Sequence, residues 1–178
     1  MDLEERVARL EDIEAIRYLQ AKYQRCLDTR DFEGLSECLA LDAVSSYDSG
    51  KHSFFGRDAI VGYLKSVMSL NMPSGHFIHG GEIDIENEDH ASAKWYLEDH
   101  LFHRVFCVKL HGSAIYDVKY IKADGAWSIS SIGYRRSYQY VGLATLVNFL
   151  SLGKTTFLEA ALLATGVTNR MGKVEDGN

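Results

Sequence analysis

The sequence predicts an α+β fold, with helices first and an antiparallel sheet after them. Before Ser69, apart from one short hairpin, apolar residues recur every three or four positions, the period of helices with one buried face. From His76 to Tyr138 the pattern changes to the two-residue alternation of strands and stays changed. No internal repeat, low-complexity run or linker interrupts the 178 residues, so one main domain is expected.

From Asp2 to Arg30, the residues Leu3, Val7, Leu10, Ile13, Ile16, Leu19, Tyr23 and Cys26 form one stripe. The stripe fits one long helix or two nearly in line. Tyr23 and Asp28 are separated by a wide angle on such a helix, so Asp28 can share a pocket with Tyr23 only if the helix ends near it. Asp31 is placed to cap a second helix whose Phe32, Leu35, Cys38 and Leu39 face inward. Val44–Asp48 and His52–Phe55 then pair about the turn Asp48-Ser49-Gly50-Lys51. A third helix starts at Gly56-Arg57-Asp58 and runs to about Ser69, and a loop with the only proline, Pro73, leads to His76.

Four strands are expected at His76–Ile85, Ala91–Phe106, Cys107–Lys122 and Ala126–Tyr138, with turns at Asn87-Glu88-Asp89 and Ala123-Asp124-Gly125. The second is the most informative. Ala91, Ala93, Trp95, Leu97 and Asp99 share one face, and Ser92, Lys94, Tyr96, Glu98 and His100 share the other. A carboxylate in line with Trp95 and Leu97 is at a strand end, paired or useful, because burying it bare is costly. From Val141 the tail is apolar with helical stripes and a break at Gly153-Lys154. Neither half approaches the roughly 20 apolar residues needed to span a bilayer. The expected division is a domain at 1–140 and a helical extension at 141–178, serving as lid or interface, with a disordered end from about 168.

The net charge of −6 and the lack of a basic face argue against nucleic acid as partner. Met1–Arg9 is charged and helix-like, unlike an apolar leader. Cys26, Cys38 and Cys107 are odd in number and widely spaced, which fits buried thiols in a reducing compartment. The expectation is a cytoplasmic protein.

Three chemistries compete. His76-x-x-His79 and His100-x-x-His103 have metal-ligand spacing for a helix, but on strands each pair points to opposite faces and cannot chelate locally; no metal is expected. Cys107 has no neighbouring cation to activate it, and no Gly-x-Ser-x-Gly elbow exists. General acid–base catalysis remains, with His76, Asp99, Asp28, Tyr23, Tyr47 and Arg136 as candidates. A histidine is the natural base near neutral pH, a carboxylate orients it, and phenols or a guanidinium donate to an oxyanion. Each residue alone also has a commonplace structural explanation: a satisfied histidine, a core tyrosine, a solvated arginine.

Several stretches taken together resemble a known family. They are Lys22-Tyr23-Gln24-Arg25-Cys26-Leu27-Asp28, Ser46-Tyr47, Gly75-His76, Trp95-Tyr96-Leu97-Glu98-Asp99, Asp124-Gly125-Ala126-Trp127 and Gly133-Tyr134-Arg135-Arg136. This set resembles the SnoaL-like branch of the nuclear-transport-factor-2-like fold over about Leu3–Tyr138, most closely the bacterial bile-acid 7α-dehydratases. The Asp28–His76 spacing also resembles scytalone dehydratase and hexachlorocyclohexane dehydrochlorinase. The chain departs from the bile-acid enzymes in a shorter His100–Leu110 stretch and in its long apolar tail.

The resemblance implies a cone: helices packed on a strongly curved antiparallel sheet, the cystatin-like shape, with a pocket between the layers. It implies His76 and Asp99 as pocket acid and base, Tyr23 and Asp28 beside them, and Tyr47, Arg136, Trp95 and Tyr116 as substrate-binding lining. A scytalone-dehydratase-like alignment would turn His100 inward instead of Asp99; the closer match favours Asp99. The implied activity is cofactor-independent loss of water from a hydroxylated, steroid-like ketone. In it His76 is the base, Asp99 orients His76, Tyr23 donates to the ketone oxygen, and Asp28 holds tyrosine and histidine in register. Arg136 receives an acidic substrate tail or supports Asp99. An isomerase, a dehydrohalogenase and a non-catalytic binding module are the alternatives. A homotrimer formed through the sheet's outer face, with no nucleic-acid or membrane partner, completes the expectation.

Overall fold

A computed structural model of the chain describes residues 1–143, of which Met1–Gly142 form one compact unit. The expected C-terminal helices, their role as lid or interface and the disordered end fall outside the described residues.

The opening stripe is one helix, α1 (Leu3–Thr29). A capping box starts it: Asp2 Oδ1 accepts from Glu5 N at 2.9 Å, and Asp2 N donates to Glu5 Oε2 at 2.8 Å. Its packed face begins only at Ile16, and Leu3, Val7 and Leu10 stand exposed. Asp31 caps α2 (Phe32–Glu37), accepting from Gly34 N at 2.9 Å, as its position predicts. β1 (Leu39–Tyr47) starts earlier than the expected Val44, because Leu39 and Ala43 already enter the core. Ile129 N donates to Cys38 O at 2.8 Å and anchors that start. A turn at Asp48–Gly50 leads to β2 (His52–Phe55), followed by α3 (Arg57–Val67).

β3 (Ser74–Ile85), β4 (His90–His103), β5 (Val108–Ala123) and β6 (Ala126–Leu143) form the expected meander. The turn between β5 and β6 is Asp124-Gly125, both at positive φ (50° and 79°) as a tight hairpin requires. β6 runs past Tyr138 to Leu143, so no helix begins at Val141; Tyr138, Tyr140 and Val141 are strand formers that extend the ladder. The sheet order is β2-β1-β6-β5-β4-β3, and β1 runs parallel to β6 while pairing antiparallel with β2. N-terminal helices thus pack on one curved sheet, the α+β arrangement anticipated. No helix of the described residues is long and apolar enough to cross a membrane.

The core lies between α1 and the inner face of the sheet. Ala91, Ala93, Trp95, Leu97 and Asp99 of β4 are all buried, while Lys94 and Tyr96 are exposed, so the predicted faces of this strand hold. Trp95 Nε1 donates to Tyr120 Oη at 3.1 Å, and Tyr120 Oη donates to Gln20 Oε1 at 2.7 Å, tying the sheet to α1. Beside them β3 is bulged between His79 and Glu82, where Gly80 adopts φ 55°. A Cβ on Gly81 would lie 2.2 Å from the Trp95 ring. Gly81→Ala is therefore expected to destabilise the domain by about 1–3 kcal/mol through overpacking. Urea denaturation followed by tryptophan fluorescence checks this, and an unchanged midpoint would show that the Trp95 contact is not tight.

Candidate active site

Between α1, α3 and the sheet lies a cavity of about 240 Å³. Apolar side chains line much of it, among them Leu27, Leu64, Val67, Leu97 and Leu101, with Met68 and Met72 contributed by the segment after α3. Against this background stand His76, Asp99, Arg136 and five tyrosines, Tyr23, Tyr47, Tyr63, Tyr116 and Tyr134, with Asp48, His52 and Gln139 as further polar lining.

The end of α1 sets the position of His76. Arg30 caps the helix in the left-handed region, φ 61°, so the last turn stops just past Asp28. The Arg30 guanidinium fixes this junction, donating to Ser69 O at 3.0 Å, Asp28 O at 3.1 Å and Met72 O at 2.5 Å. The Asp28 carboxylate then meets the start of β3 and receives three donors. Ser74 Oγ lies 2.7 Å from Oδ1, His76 N 2.8 Å from Oδ2, and His76 Nδ1 2.6 Å from Oδ1. Burial opposes ionisation of Asp28, but the hydrogen bonds and charge of His76 and the Ser74 hydroxyl outweigh it and hold the carboxyl below its usual range. An ionised Asp28 can only accept, so Nδ1 of a neutral His76 must carry the proton and Nε2 the lone pair.

The carboxylate that orients His76 is thus Asp28, and the expectation that Asp99 does so is corrected. His76 and Asp99 are cross-strand neighbours, which puts both on the cavity wall. Asp99, however, is held by Arg136 through two parallel bonds, Nη1 to Oδ1 at 2.7 Å and Nη2 to Oδ2 at 2.6 Å. Arg136 reaches Asp99 from β6 across β5, and Gly112, the β5 partner of Asp99, leaves the gap. A Cβ there would lie 2.8 Å from Arg136 Nη1 and 3.1 Å from Asp99 Oδ1. His100 is on the opposite face, where Glu98 is its partner.

Tyr23 does not touch Asp28; its hydroxyl lies 3.0 Å from that of Tyr47. Asp28 therefore aligns the histidine alone. Burial pushes the phenols of Tyr23, Tyr47 and Tyr116 up, so each is a neutral donor at ordinary pH. Tyr47 sits between Tyr63 and Tyr134, ring centroids 6.0 and 5.9 Å away, and Tyr116 meets Tyr134 edge-on at 5.7 Å. Trp95, expected in the lining, does not reach the cavity: it faces inward deeper along β4, bonded to Tyr120. Sequence reasoning missed Tyr63 and Tyr134 as lining. Ile60, Leu64 and Val67 beside Tyr63, and Ile132 and Arg136 at two-residue steps from Tyr134, were the available signals.

A family model of the SnoaL-like domain matches residues 8–133. Among solved structures, the chain is similar to a candidate scytalone dehydratase of Novosphingobium aromaticivorans, with 20% identity over 75% of this chain and 89% of that one and a TM-score of 0.70. It is also similar to the hexachlorocyclohexane dehydrochlorinase LinA-type3 of Novosphingobium barchaimii, with 18% identity, 76% and 93% coverage and a TM-score of 0.70. A Nostoc punctiforme protein of unknown function with a cystatin-like fold matches at 20% identity, 71% and 91% coverage and a TM-score of 0.58. At these identities the likeness is one of fold.

The depressed carboxyl of Asp28 fixes the sign of a pH effect. A group whose pKa falls on folding adds stability above its unfolded pKa, and that stability disappears as pH falls through the folded value. The stability gap between the native chain and Asp28→Asn is expected to be full at neutral pH and to shrink below the ordinary value of 3.8. Urea titrations across pH 3–7 read it directly. A gap independent of pH would mean that ionised Asp28 is not the species in these contacts.

Proposed function

The chain belongs to the SnoaL-like domain family, and from that premise we propose that it is a hydro-lyase acting on a hydroxylated, steroid-like or polycyclic ketone. The observation that carries the proposal is His76, whose Nδ1 is held by an ionised carboxylate so that Nε2 is left as a base beside an apolar cavity. Two of the structural neighbours, a candidate scytalone dehydratase and a dehydrochlorinase, carry the names of elimination enzymes, and that common chemistry supports the reading.

In a 7-hydroxy-4-en-3-one the proton on the γ-carbon is acidic, because its loss gives a dienolate. His76 Nε2 takes this proton, and the Asp28 carboxylate stabilises the imidazolium that forms. A phenol of the Tyr23–Tyr47 pair donates to the ketone oxygen as negative charge develops there. The dienolate then re-forms the carbonyl and expels the 7-hydroxyl, which receives the proton back from His76 and leaves as water. The product is a conjugated dienone. The enone is the electron sink, so the scheme needs no cofactor. The Asp99–Arg136 pair keeps a buried carboxylate neutralised next to the base and leaves the imidazolium to Asp28. A cavity of about 240 Å³ is at or below the low end of typical ligand sites, about 300–1,000 Å³. It encloses the reacting rings and leaves the rest of a large substrate at the mouth. The similarity to a dehydrochlorinase favours one second reading, the same proton abstraction with halide as leaving group.

The test is incubation with 7-hydroxy-4-en-3-one steroids while watching for the longer-wavelength ultraviolet band of the dienone. His76→Ala is expected to lose at least about 100-fold in rate with its circular dichroism unchanged, the usual contribution of a general base being about 10²–10⁴-fold. A loss below about tenfold would exclude His76 as the base. Activity is expected to survive dialysis against a chelator; restoration only by added metal would overturn the acid–base scheme.

A further inference from the structure

On the face of the sheet turned away from the cavity, we propose that Glu98, His100 and His111 bind a divalent cation of borderline softness, zinc being the best fit. His100 and His111 are directly opposed in the β4–β5 ladder, and Glu98 precedes His100 by one two-residue step. All three side chains therefore leave the same face. Their ligand atoms lie within 4.8 Å of one another, the only such group found among the described residues. The hairpin thus supplies what the local His-x-x-His spacings cannot.

The arrangement is close to a coordination sphere. Glu98 Oε1 lies between the two rings, 3.0 Å from His100 Nε2 and 3.1 Å from His111 Nε2. Ligands about 2.0–2.2 Å from a tetrahedral zinc are roughly 3.3 Å apart, so the carboxylate need move only a few tenths of an ångström. The rings themselves must turn. They are stacked, centroids 4.3 Å apart and 12° from parallel, with each Nε2–H facing the Glu98 carboxylate, so an ion would take the place of those two protons. Rotation about χ2 makes them converge on one ion and opens the stack. Phe77 against His100 and Tyr138 against His111 meet the rings edge-on at 6.0 Å and bound that rotation.

The donor chemistry selects the ion. Two imidazoles and one carboxylate are a three-ligand set of zinc sites with a fourth position left to water and also suit Fe(II), whereas calcium and magnesium favour oxygen ligands throughout. The three side chains keep 31–44% of their surface, enough for an ion to enter from solvent. Asp99, between Glu98 and His100 in sequence, and its cross-strand partner Gly112, next after His111, belong to the other face, so the site is separate from the cavity and independent of the proposed elimination.

The test uses the full chain without a polyhistidine tag, stripped with a chelator and titrated with Co²⁺ by visible absorption and with Zn²⁺ by calorimetry. One ion per chain is expected, with Co²⁺ bands of low coordination number. Losing a ligand should cost at least the roughly 10–100-fold in affinity that losing an outer-shell partner costs, in His100→Ala, His111→Ala and Glu98→Gln alike. Cys107→Ser and His90→Ala should bind as the native chain does. Zinc should raise the melting temperature of the native chain and not that of His100→Ala. Absence of saturable binding, binding kept by both histidine variants, or binding lost with Cys107→Ser would each overturn the site.

Discussion

The Asp28 carboxylate at the junction of α1 and β3 is the contact on which the candidate site depends. One side chain answers a backbone N–H, a hydroxyl and an imidazole. It joins the last turn of the helix to the first residues of the strand and fixes the tautomer of His76 in the same act. The geometry follows from where the helix stops. Had α1 continued beyond Thr29, Asp28 would have faced along the helix instead of across to β3. Arg30 prevents this by taking the left-handed cap and spending its guanidinium on three carbonyls. The loop that carries Met72 is held by the same guanidinium, so the cavity wall and the histidine share one support.

The Asp99–Arg136 pair answers a different problem. Asp99 is 2% exposed, and removing one partner of a buried ion pair costs about 3–5 kcal/mol because the other is left bare. An apolar pair could fill that space more cheaply, so within the proposed function the two charges are read as serving the cavity. They set a fixed field beside His76 without competing for its proton. Gly112 makes the arrangement sterically feasible, since a larger residue would close the gap through which Arg136 crosses β5.

Much of this architecture is legible in the order of the residues. Alternation along β4 assigns Asp99 inward and Tyr96 outward, and Asp31 announces the second helix; the wide angle between Tyr23 and Asp28 makes a shared pocket conditional on a helix end, which comes at Thr29, yet only Tyr23 lines the cavity. The partnerships are not legible there, because they depend on register between strands distant in sequence. Asp99 beside His76 is deducible as proximity, but that Arg136 claims its oxygens depends on a third strand lying between them. Alternation also gives a face without a depth: Trp95 and Asp99 share a face, yet only Asp99 reaches the cavity. The Glu98–His100–His111 cluster escapes a linear reading for the same reason, since its histidines are eleven residues apart and meet only through the β4–β5 ladder.

The central claim is that Asp28 holds His76 with its proton on Nδ1 and its lone pair on Nε2. Long-range ¹H–¹⁵N correlation spectra of the imidazoles read this without a substrate. The account predicts that neutral His76 shows a protonated Nδ1 and an unprotonated Nε2, and that Asp28→Asn abolishes this preference. A neutral His76 with the proton on Nε2 would contradict it, because the cavity would then face a donor and not a base.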